Sequence, residues 1–128
     1  MRRNEMYISA MAASGLAYEL IDFGEGRKLE RFGNIVVDRP EVLATEKKVL
    51  SKDVWNRADG KFNSVGKLKG VWKTRSKVDD TWECGFKNDK ITWACLLKLG
   101  EYKHMGIFPE QEAHWNYISS KLRNGDKF

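Results

Sequence analysis

Short stretches of alternating apolar and polar residues run along the chain, which is the pattern of strands that bury one face. They predict two strands before residue 40, at 18–23 and 27–37, and four strands further on, at 70–76, 80–86, 91–99 and 103–108. Residues 41–62, between the two groups, instead repeat apolar side chains every four positions, at Leu50, Val54, Ala58 and Phe62. That stretch is expected to form one broken helix or two short ones, the second capped by Ser51.

Turn residues set the expected register of the first hairpin. A three-residue loop, Gly24-Glu25-Gly26, is a common connection between antiparallel strands. It opposes Phe23 to Arg27, Asp22 to Lys28, Ile21 to Leu29 and Glu19 to Arg31. Two of these four pairs join opposite charges and one is apolar, which favours this loop over a two-residue turn.

A later hairpin carries the expected core. Asn88-Asp89 turns the chain so that Phe86 faces Ile91, Cys84 faces Trp93 and Trp82 faces Cys95. Because side chains alternate across a strand, one face then collects the large apolar residues: Trp82, Cys84, Phe86, Ile91, Trp93, Cys95, Leu97 and Leu99.

The last element is a helix that begins at Pro109. Glu110 lies in its first turn and Lys121 in its last, the charge order that a helix dipole favours, and Asn124-Gly125 follows as a stop signal. The expected fold class is therefore α+β, a small domain with a mostly antiparallel sheet (two strands, a helical stretch, four strands) and a C-terminal helix.

Composition narrows the class of protein without naming a function. The 128 residues are 41% hydrophobic and 32% charged, as in a soluble globular domain. The net charge of +5 allows a polyanionic partner such as RNA. Two cysteines are too few for a disulfide scaffold and suit a reducing cytosol, and no apolar run approaches the roughly 18 residues of a membrane helix. We expect a cytoplasmic protein, and the sequence sets no oligomeric state.

Catalytic and metal motifs are missing from the sequence. Cys84, Cys95, His104 and His114 lie too far apart for the close ligand pairs of zinc sites, and both cysteines point into the apolar face. There is no nucleophile elbow and no glycine-rich strand-to-helix turn that would hold a nucleotide. The expectation is no catalytic residue and no metal ligand within this chain.

Cations interleaved with an aromatic residue form the one candidate binding surface. Between positions 61 and 77 lie six cations around Trp72, and the residues expected to contact RNA are Lys67, Lys69, Trp72, Lys73 and Arg75. Basic and aromatic side chains grip and stack single-stranded RNA. A solvated edge strand explains the same lysines equally well, because lysine discourages edge-to-edge aggregation.

Three stretches of the chain resemble a known family. They are residues 18–33, YELIDFGEGRKLERFG, with DRP at 38–40; residues 55–59, WNRAD, with GVW at 70–72; and residues 103–111, KHMGIFPEQ, followed by Trp115. Together they resemble the N-terminal portion of class I S-adenosylmethionine-dependent methyltransferases related to the 23S ribosomal RNA cytosine methyltransferases.

This resemblance implies a division of the protein. Residues 1–16 are a loose N-terminal segment, 17–108 an α+β substrate-side domain, and 109–128 a helix leading towards a methyltransferase domain that lies beyond this chain. S-adenosylmethionine is expected to bind to that missing domain, with Phe108, Glu110 and Gln111 at its cofactor-side edge. Pro109 and the lack of an arginine after Gln111 depart from the relatives' pattern, and a role for Phe108 in the core is the competing interpretation.

The function expected from the resemblance is part of a methyltransferase that acts on RNA, ribosomal RNA above all, with the catalytic domain absent from this chain. The alternative is a stand-alone module that binds RNA or another protein and catalyses nothing.

Overall fold

The structure, a computed structural model, describes residues 15–67, 69–75 and 78–122. These residues form two sheets. The three-stranded sheet has the order β1-β7-β8, from β1 (Gly15–Leu16), β7 (Thr81–Lys87) and β8 (Thr92–Lys98). The five-stranded sheet runs in chain order from β2 to β6: β2 (Tyr18–Gly24), β3 (Arg27–Phe32), β4 (Ile35–Pro40), β5 (Gly60–Ser64) and β6 (Gly70–Thr74).

Helices are few among the described residues. The short helix α1 (Lys52–Asn56) precedes β5, and a 3-10 turn (Pro109–Gln111) leads into helix α2 (Glu112–Lys121). Within the described sheets only β4 and β5 pair in parallel. The predicted α+β class, with mostly antiparallel strands and a C-terminal helix, is confirmed. In the part of the chain that the structure describes, no helix is long and apolar enough to span a membrane.

The first hairpin differs from its predicted register near the turn. Glu25 and Gly26 both have positive φ, 53° and 79°, which defines a two-residue turn and opposes Asp22 to Leu29. A bulge between Leu20 and Asp22 then restores the predicted pair of Glu19 with Arg31. The predicted three-residue loop is therefore wrong, and the bulge explains why the pair farthest from the turn is still correct.

Asp22 supplies the physical reason for this register. Its carboxylate accepts hydrogen bonds from the backbone N–H groups of Val49 and Leu50 and from Nε1 of Trp55, at 2.9–3.3 Å. Burial alone would raise the pKa of Asp22, but these hydrogen bonds outweigh it and the pKa is lowered. An ion pair with Lys28 is not needed once the carboxylate is satisfied in this way.

The predicted strand over 27–37 is two strands. Gly33 (φ 62°) turns the chain between β3 and β4, and a Cβ at this position would collide with the carbonyl oxygen of Glu83 on the other sheet. Continuous apolar patterning hid this turn, because Phe32 and Ile35 on either side are both buried.

The predicted helix over 41–62 is mostly wrong, since only residues 52–56 are α-helical. Ser51 caps this helix as predicted, accepting a hydrogen bond from the N–H of Val54. Residues 41–51 are a loop whose carbonyls at Ala44 and Glu46 accept hydrogen bonds from the first hairpin turn, both at 2.7 Å. Phe62, the last member of the predicted stripe, lies in β5 and is 1% exposed. Hydrogen bonds to distant residues thus replace the intrahelical ones here.

The β7–β8 hairpin has the predicted core face and a shifted register. Trp82, Cys84, Phe86 and Leu97 are buried, and Ile91, Trp93, Cys95 and Leu99 pack against them. The pairs, however, are Trp82 with Leu97, Cys84 with Cys95 and Phe86 with Trp93. The side chain of Asn88 accepts hydrogen bonds from the N–H groups of Lys90 and Ile91, which lengthens the predicted two-residue turn to four residues. A shift of two positions keeps every side chain on its predicted face.

Residues 103–108 form a loop rather than the predicted strand. Gly106 has a φ of 105°, and the loop buries Met105 and Ile107, which produced the alternation in the sequence. The helix predicted from Pro109 is present as the 3-10 turn and α2, while Asn124 and Gly125 lie outside the described residues. Trp115 of α2 packs edge-on against the rings of Phe86 and Trp93, which are stacked 5.1 Å apart.

The two faces of the β7–β8 hairpin provide a test of this core. Phe86→Ala removes a side chain that is 1% exposed and is expected to lower the free energy of unfolding by about 3–5 kcal/mol, because a cavity remains. Leu96→Ala, on the opposite face at 67% exposure, should change it by only about 0.5 kcal/mol. Urea unfolding of the two variants measures both values. Similar losses for the two would contradict the assignment of the faces.

Candidate nucleic-acid interface and cofactor-side edge

The predicted RNA-binding residues lie along β6 and the turn before it. Lys67, Lys69, Lys73 and Arg75 are all exposed, and Lys73 is the cross-strand neighbour of Lys61. Since β6 is an outer strand of its sheet, these cations share one open edge. We call Lys61, Lys67, Lys69, Lys73 and Arg75 the basic edge.

Trp72 lies apart from the lysines that surround it in sequence. It alternates with Lys73 and therefore points to the opposite face of β6, where its ring meets Phe62 edge-on at 5.3 Å. Its Nε1 donates a hydrogen bond to the carbonyl oxygen of Tyr102, 2.9 Å away. Trp72 is half-buried and joins β6 to the loop before α2, so the structure does not bring it together with the cations on the face of Lys73.

The loop at 99–108 continues the surface that begins at the basic edge. Lys69 pairs with Glu101 at 3.7 Å, and the N–H of Gly70 donates to the carbonyl oxygen of Glu101. Tyr102, 46% exposed, comes next, followed by Lys103 and His104. The loop thus runs from the basic edge to the three residues that sequence reasoning placed on the cofactor side.

Those three residues do not share one environment. Phe108 is 46% exposed, with its ring 5.2 Å from that of His104, and Glu110 is exposed nearby. Both line a cavity of about 150 Å³. Gln111 faces elsewhere, because its Oε1 lies 2.6 Å from Nδ1 of His114. The structure therefore brings Phe108 and Glu110 together and leaves Gln111 outside.

The cavity, which we call the His104 cavity, collects residues that are far apart in sequence. Its lining is Lys28, Arg39, Pro40, Glu41, Lys103, His104, Phe108 and Glu110. Sequence reasoning missed Lys28, Arg39, Glu41 and Lys103 as site residues. The only available signal was the DRP stretch at 38–40, which carried the family resemblance and contains Arg39.

A buried ion pair lies at the bottom of this cavity. Glu30 is completely buried and Arg39 is 5% exposed, with Nε and Nη2 of the arginine donating to the two carboxylate oxygens at 2.6 and 3.1 Å. Tyr18 donates its hydroxyl to the same carboxylate at 2.6 Å, and Lys28 lies 3.8 Å from it. Burial, followed by the charge of Glu30, raises the pKa of Tyr18 far above its ordinary value. The guanidinium reaches the loop as well, since Nη1 donates to the carbonyl oxygen of Lys103.

A wider cleft of about 740 Å³ adjoins the His104 cavity and shares Lys28, Glu41 and Glu110 with it. Its lining holds the carboxylates of Glu30, Glu41, Glu46, Glu110 and Glu112, with Lys28 as the only lysine or arginine. Exposed apolar side chains at Leu20, Phe23 and Leu43 complete its walls. Glu30 and Glu41 are paired with Arg39 and Lys28, so the excess negative charge of the cleft comes from Glu46, Glu110 and Glu112 and disfavours phosphate groups on this side.

The two cysteines are placed as small core residues. Burial raises the pKa of the Cys84 thiol to about 12, and burial likewise raises the pKa of Cys95. A thiol of raised pKa is a poor nucleophile and a poor ligand. Among the described residues no group of three or more histidine, cysteine, aspartate or glutamate side chains could hold a metal ion.

Comparison with protein families and with curated proteins finds no match for this chain. Comparison with solved structures does: the crystal structure of the SAM-dependent methyltransferase from Agrobacterium tumefaciens superposes with a TM-score of 0.70 and 31% sequence identity. The match covers 86% of this chain and 34% of that methyltransferase, so the chain spans about a third of its length. The likeness in fold and sequence supports a methyltransferase context for this chain.

The described residues do not fit a complete S-adenosylmethionine site. Such a cofactor is held where a glycine-rich turn joins a strand to a helix N-terminus. The described glycines with positive φ are Gly15, Gly24, Gly26, Gly33 and Gly106, and none of them joins a strand directly to a helix. No step of a methyl transfer can therefore be assigned to this part of the protein.

The ion pair below the His104 cavity gives a stability prediction. Glu30→Gln leaves the buried Arg39 without its counter-charge and is expected to lower the free energy of unfolding by about 3–5 kcal/mol. Glu101→Gln breaks the exposed pair with Lys69, whose side chains are 64% and 71% exposed, and should cost less than about 1 kcal/mol. Denaturant unfolding compares the two. Equal and small losses would show that Arg39 finds another partner or reaches water.

Proposed function

We propose that this chain is the substrate-side part of an S-adenosylmethionine-dependent methyltransferase that acts on RNA, with ribosomal RNA as the substrate class. The observation that carries the proposal is the 31% identity, over 86% of the chain, to a SAM-dependent methyltransferase of which the match covers 34%. The resemblance of residues 18–33 and 103–111 to the 23S ribosomal RNA cytosine methyltransferases extends it to RNA.

The chemistry of methyl transfer supports this division of labour. The acceptor base has to be held against the methyl donor, and cations with exposed aromatic rings do this for RNA. The described residues offer the basic edge and exposed rings at Tyr102 and Phe108. In the proposal, residues outside the described part hold S-adenosylmethionine and supply the catalytic groups. Phe108 and Glu110 then border the cofactor, and the protein works in the cytoplasm.

The second candidate is a module that binds RNA or a protein without catalysis. The absence of a cofactor turn from the described residues favours it. The reading frame after Phe128 separates the two candidates: continuation for about 150 residues into a glycine-rich strand-to-helix turn supports the enzyme. A stop codon in the native gene would favour the module. Where the frame continues, transfer of a labelled methyl group to ribosomal RNA by the longer product is the direct assay.

The first prediction from the proposal concerns the cofactor. Isothermal titration calorimetry of this chain with S-adenosylmethionine is expected to show no binding tighter than about 1 mM, because the turn that grips the nucleotide lies elsewhere. A micromolar dissociation constant would contradict the proposed division.

The second prediction concerns RNA. Cations that contact phosphates release counterions when RNA binds. On single-stranded RNA, each such contact therefore lowers the logarithm of the affinity by about 0.7 for every tenfold increase in salt concentration. Lys67→Ala, Lys69→Ala and Lys73→Ala together should flatten the slope of log affinity against log salt by roughly two units if all three touch phosphate. Filter binding of a ribosomal RNA fragment at several salt concentrations measures the slope.

The control for that experiment removes the same charge elsewhere. Lys47, Lys87 and Lys121 are exposed on the loop at 41–51, on β7 and on α2, outside the basic edge. Their replacement by alanine should leave the slope unchanged. If both triple variants change the slope equally, binding follows net charge alone. If neither changes the slope or the affinity, the basic edge is a solvated sheet edge.

A further inference from the structure

The His104 cavity has the size of a site for one ring rather than for a whole cofactor. Sites for drug-sized ligands enclose roughly 300–1,000 Å³, whereas this cavity encloses about 150 Å³. Strands β3 and β4 supply one side through Lys28 and Arg39, and the loop before α2 supplies the other through Lys103, His104 and Phe108. A single heterocycle fits this space, and a nucleotide does not.

The charges around the cavity are balanced, which argues against an inorganic anion as the ligand. Arg39 is neutralised by the buried Glu30. Lys28 lies 3.5 Å from Glu41, and the remaining pair of opposite charges in the lining is Lys103 and Glu110. A phosphate would lie beside two carboxylates. A neutral ligand that both donates and accepts hydrogen bonds matches such a mixed lining.

The ring pair at the mouth suits a planar ligand. Phe108 and His104 lie 5.2 Å apart with planes tilted by 45°, and both are exposed. Partial burial, followed by the positive charges of Arg39, Lys103 and Lys28, lowers the pKa of His104 and so favours the neutral imidazole. A neutral imidazole offers one donor and one acceptor at its ring edge.

The cavity also lies where a bound strand of RNA would arrive. The loop that lines it is joined to the basic edge by the Lys69–Glu101 ion pair and to β6 by the hydrogen bond from Nε1 of Trp72 to the carbonyl oxygen of Tyr102. Tyr102, with 46% exposure, lies between the two, and the carboxylates of the wider cleft disfavour phosphates on the far side. Residues 101–104 connect the basic edge to the cavity and offer a path along which a backbone held at that edge reaches it.

We propose that the His104 cavity binds one unstacked nucleobase of a single-stranded RNA, with Phe108 as the stacking ring and Glu110 and Lys103 as the groups that read the edge of the base. This inference rests on the proposed function and adds a base-binding subsite to it. Base-reading pockets in other proteins combine the same two elements, an aromatic face and hydrogen bonds to the base edge.

The first test uses free nucleosides, which carry no phosphate and do not depend on the basic edge. Cytidine, uridine, adenosine and guanosine are titrated to about 10 mM, and the imidazole proton signals of the two histidines are followed by NMR. We expect a saturable shift of the His104 signals with at least one nucleoside, while His114 on α2 remains an internal reference. No shift of His104 with any nucleoside, or a larger shift with inorganic phosphate, overturns the proposal.

The second test uses matched variants of two exposed aromatic residues. Phe108→Ala should abolish the nucleoside-dependent shift of His104, whereas Tyr117→Ala, which removes a ring that is 64% exposed on α2 outside the cavity, should leave it intact. An RNA hexamer that carries one base in an otherwise abasic backbone should bind about tenfold more weakly to the Phe108→Ala variant. Binding of the fully abasic hexamer should be the same for both variants. Equal losses for both hexamers overturn the proposal.

The outcomes separate this inference from the function on which it rests. Salt-dependent RNA binding without any base effect contradicts the base pocket and leaves the RNA proposal standing. Absence of both RNA binding and nucleoside shifts contradicts the two together.

Discussion

The buried pair of Glu30 and Arg39 is the interaction on which this domain depends. Removing two charges from water costs several kcal/mol for each ion, which is recovered only with close geometry and further hydrogen bonds. The pair meets this condition through Tyr18 and through the carbonyl oxygen of Lys103. Because these partners come from β2, β3, β4 and the loop before α2, this one ion pair links four segments. This constraint also shapes the His104 cavity, because Arg39 at the bottom of the cavity cannot move without leaving an unpaired buried charge.

The basic and the acidic side chains lie on different surfaces, so the charge of the domain is unevenly distributed. The basic edge lies along β6, while carboxylates dominate the cleft beside β2, at the other outer strand of the same sheet. A net charge of +5 conceals this separation. A polyanion is therefore attracted to one edge of the sheet and repelled from the other.

Local sequence patterns predicted those elements that depend on interactions between residues close in sequence. The core face of β7 and β8, the cap at Ser51 and the helix after Pro109 follow from alternation and from capping chemistry. The prediction of a helix over 41–62 was wrong because the carboxylate of Asp22 accepts hydrogen bonds from the N–H groups of Val49 and Leu50. These contacts span 27 and 28 positions, and no periodicity in the sequence reveals them. The cavity was missed for the same reason, since Lys28, Arg39 and His104 meet only after the sheets have formed. Of the predicted site, Phe108 and Glu110 came together because they are neighbours in sequence.

Another long-range contact bears on how the domain opens. The N–H of Leu16 in β1 donates to Oε1 of Glu112 in α2, 96 positions away. The chain between these two residues makes up most of the domain. Bringing its two ends together is favourable only after the segments between them have packed. Strand β1 and helix α2 are therefore expected to detach and reattach as one cooperative unit of low local stability. Each such opening uncovers the rings of Phe86 and Trp93, against which Trp115 packs edge-on in the folded protein.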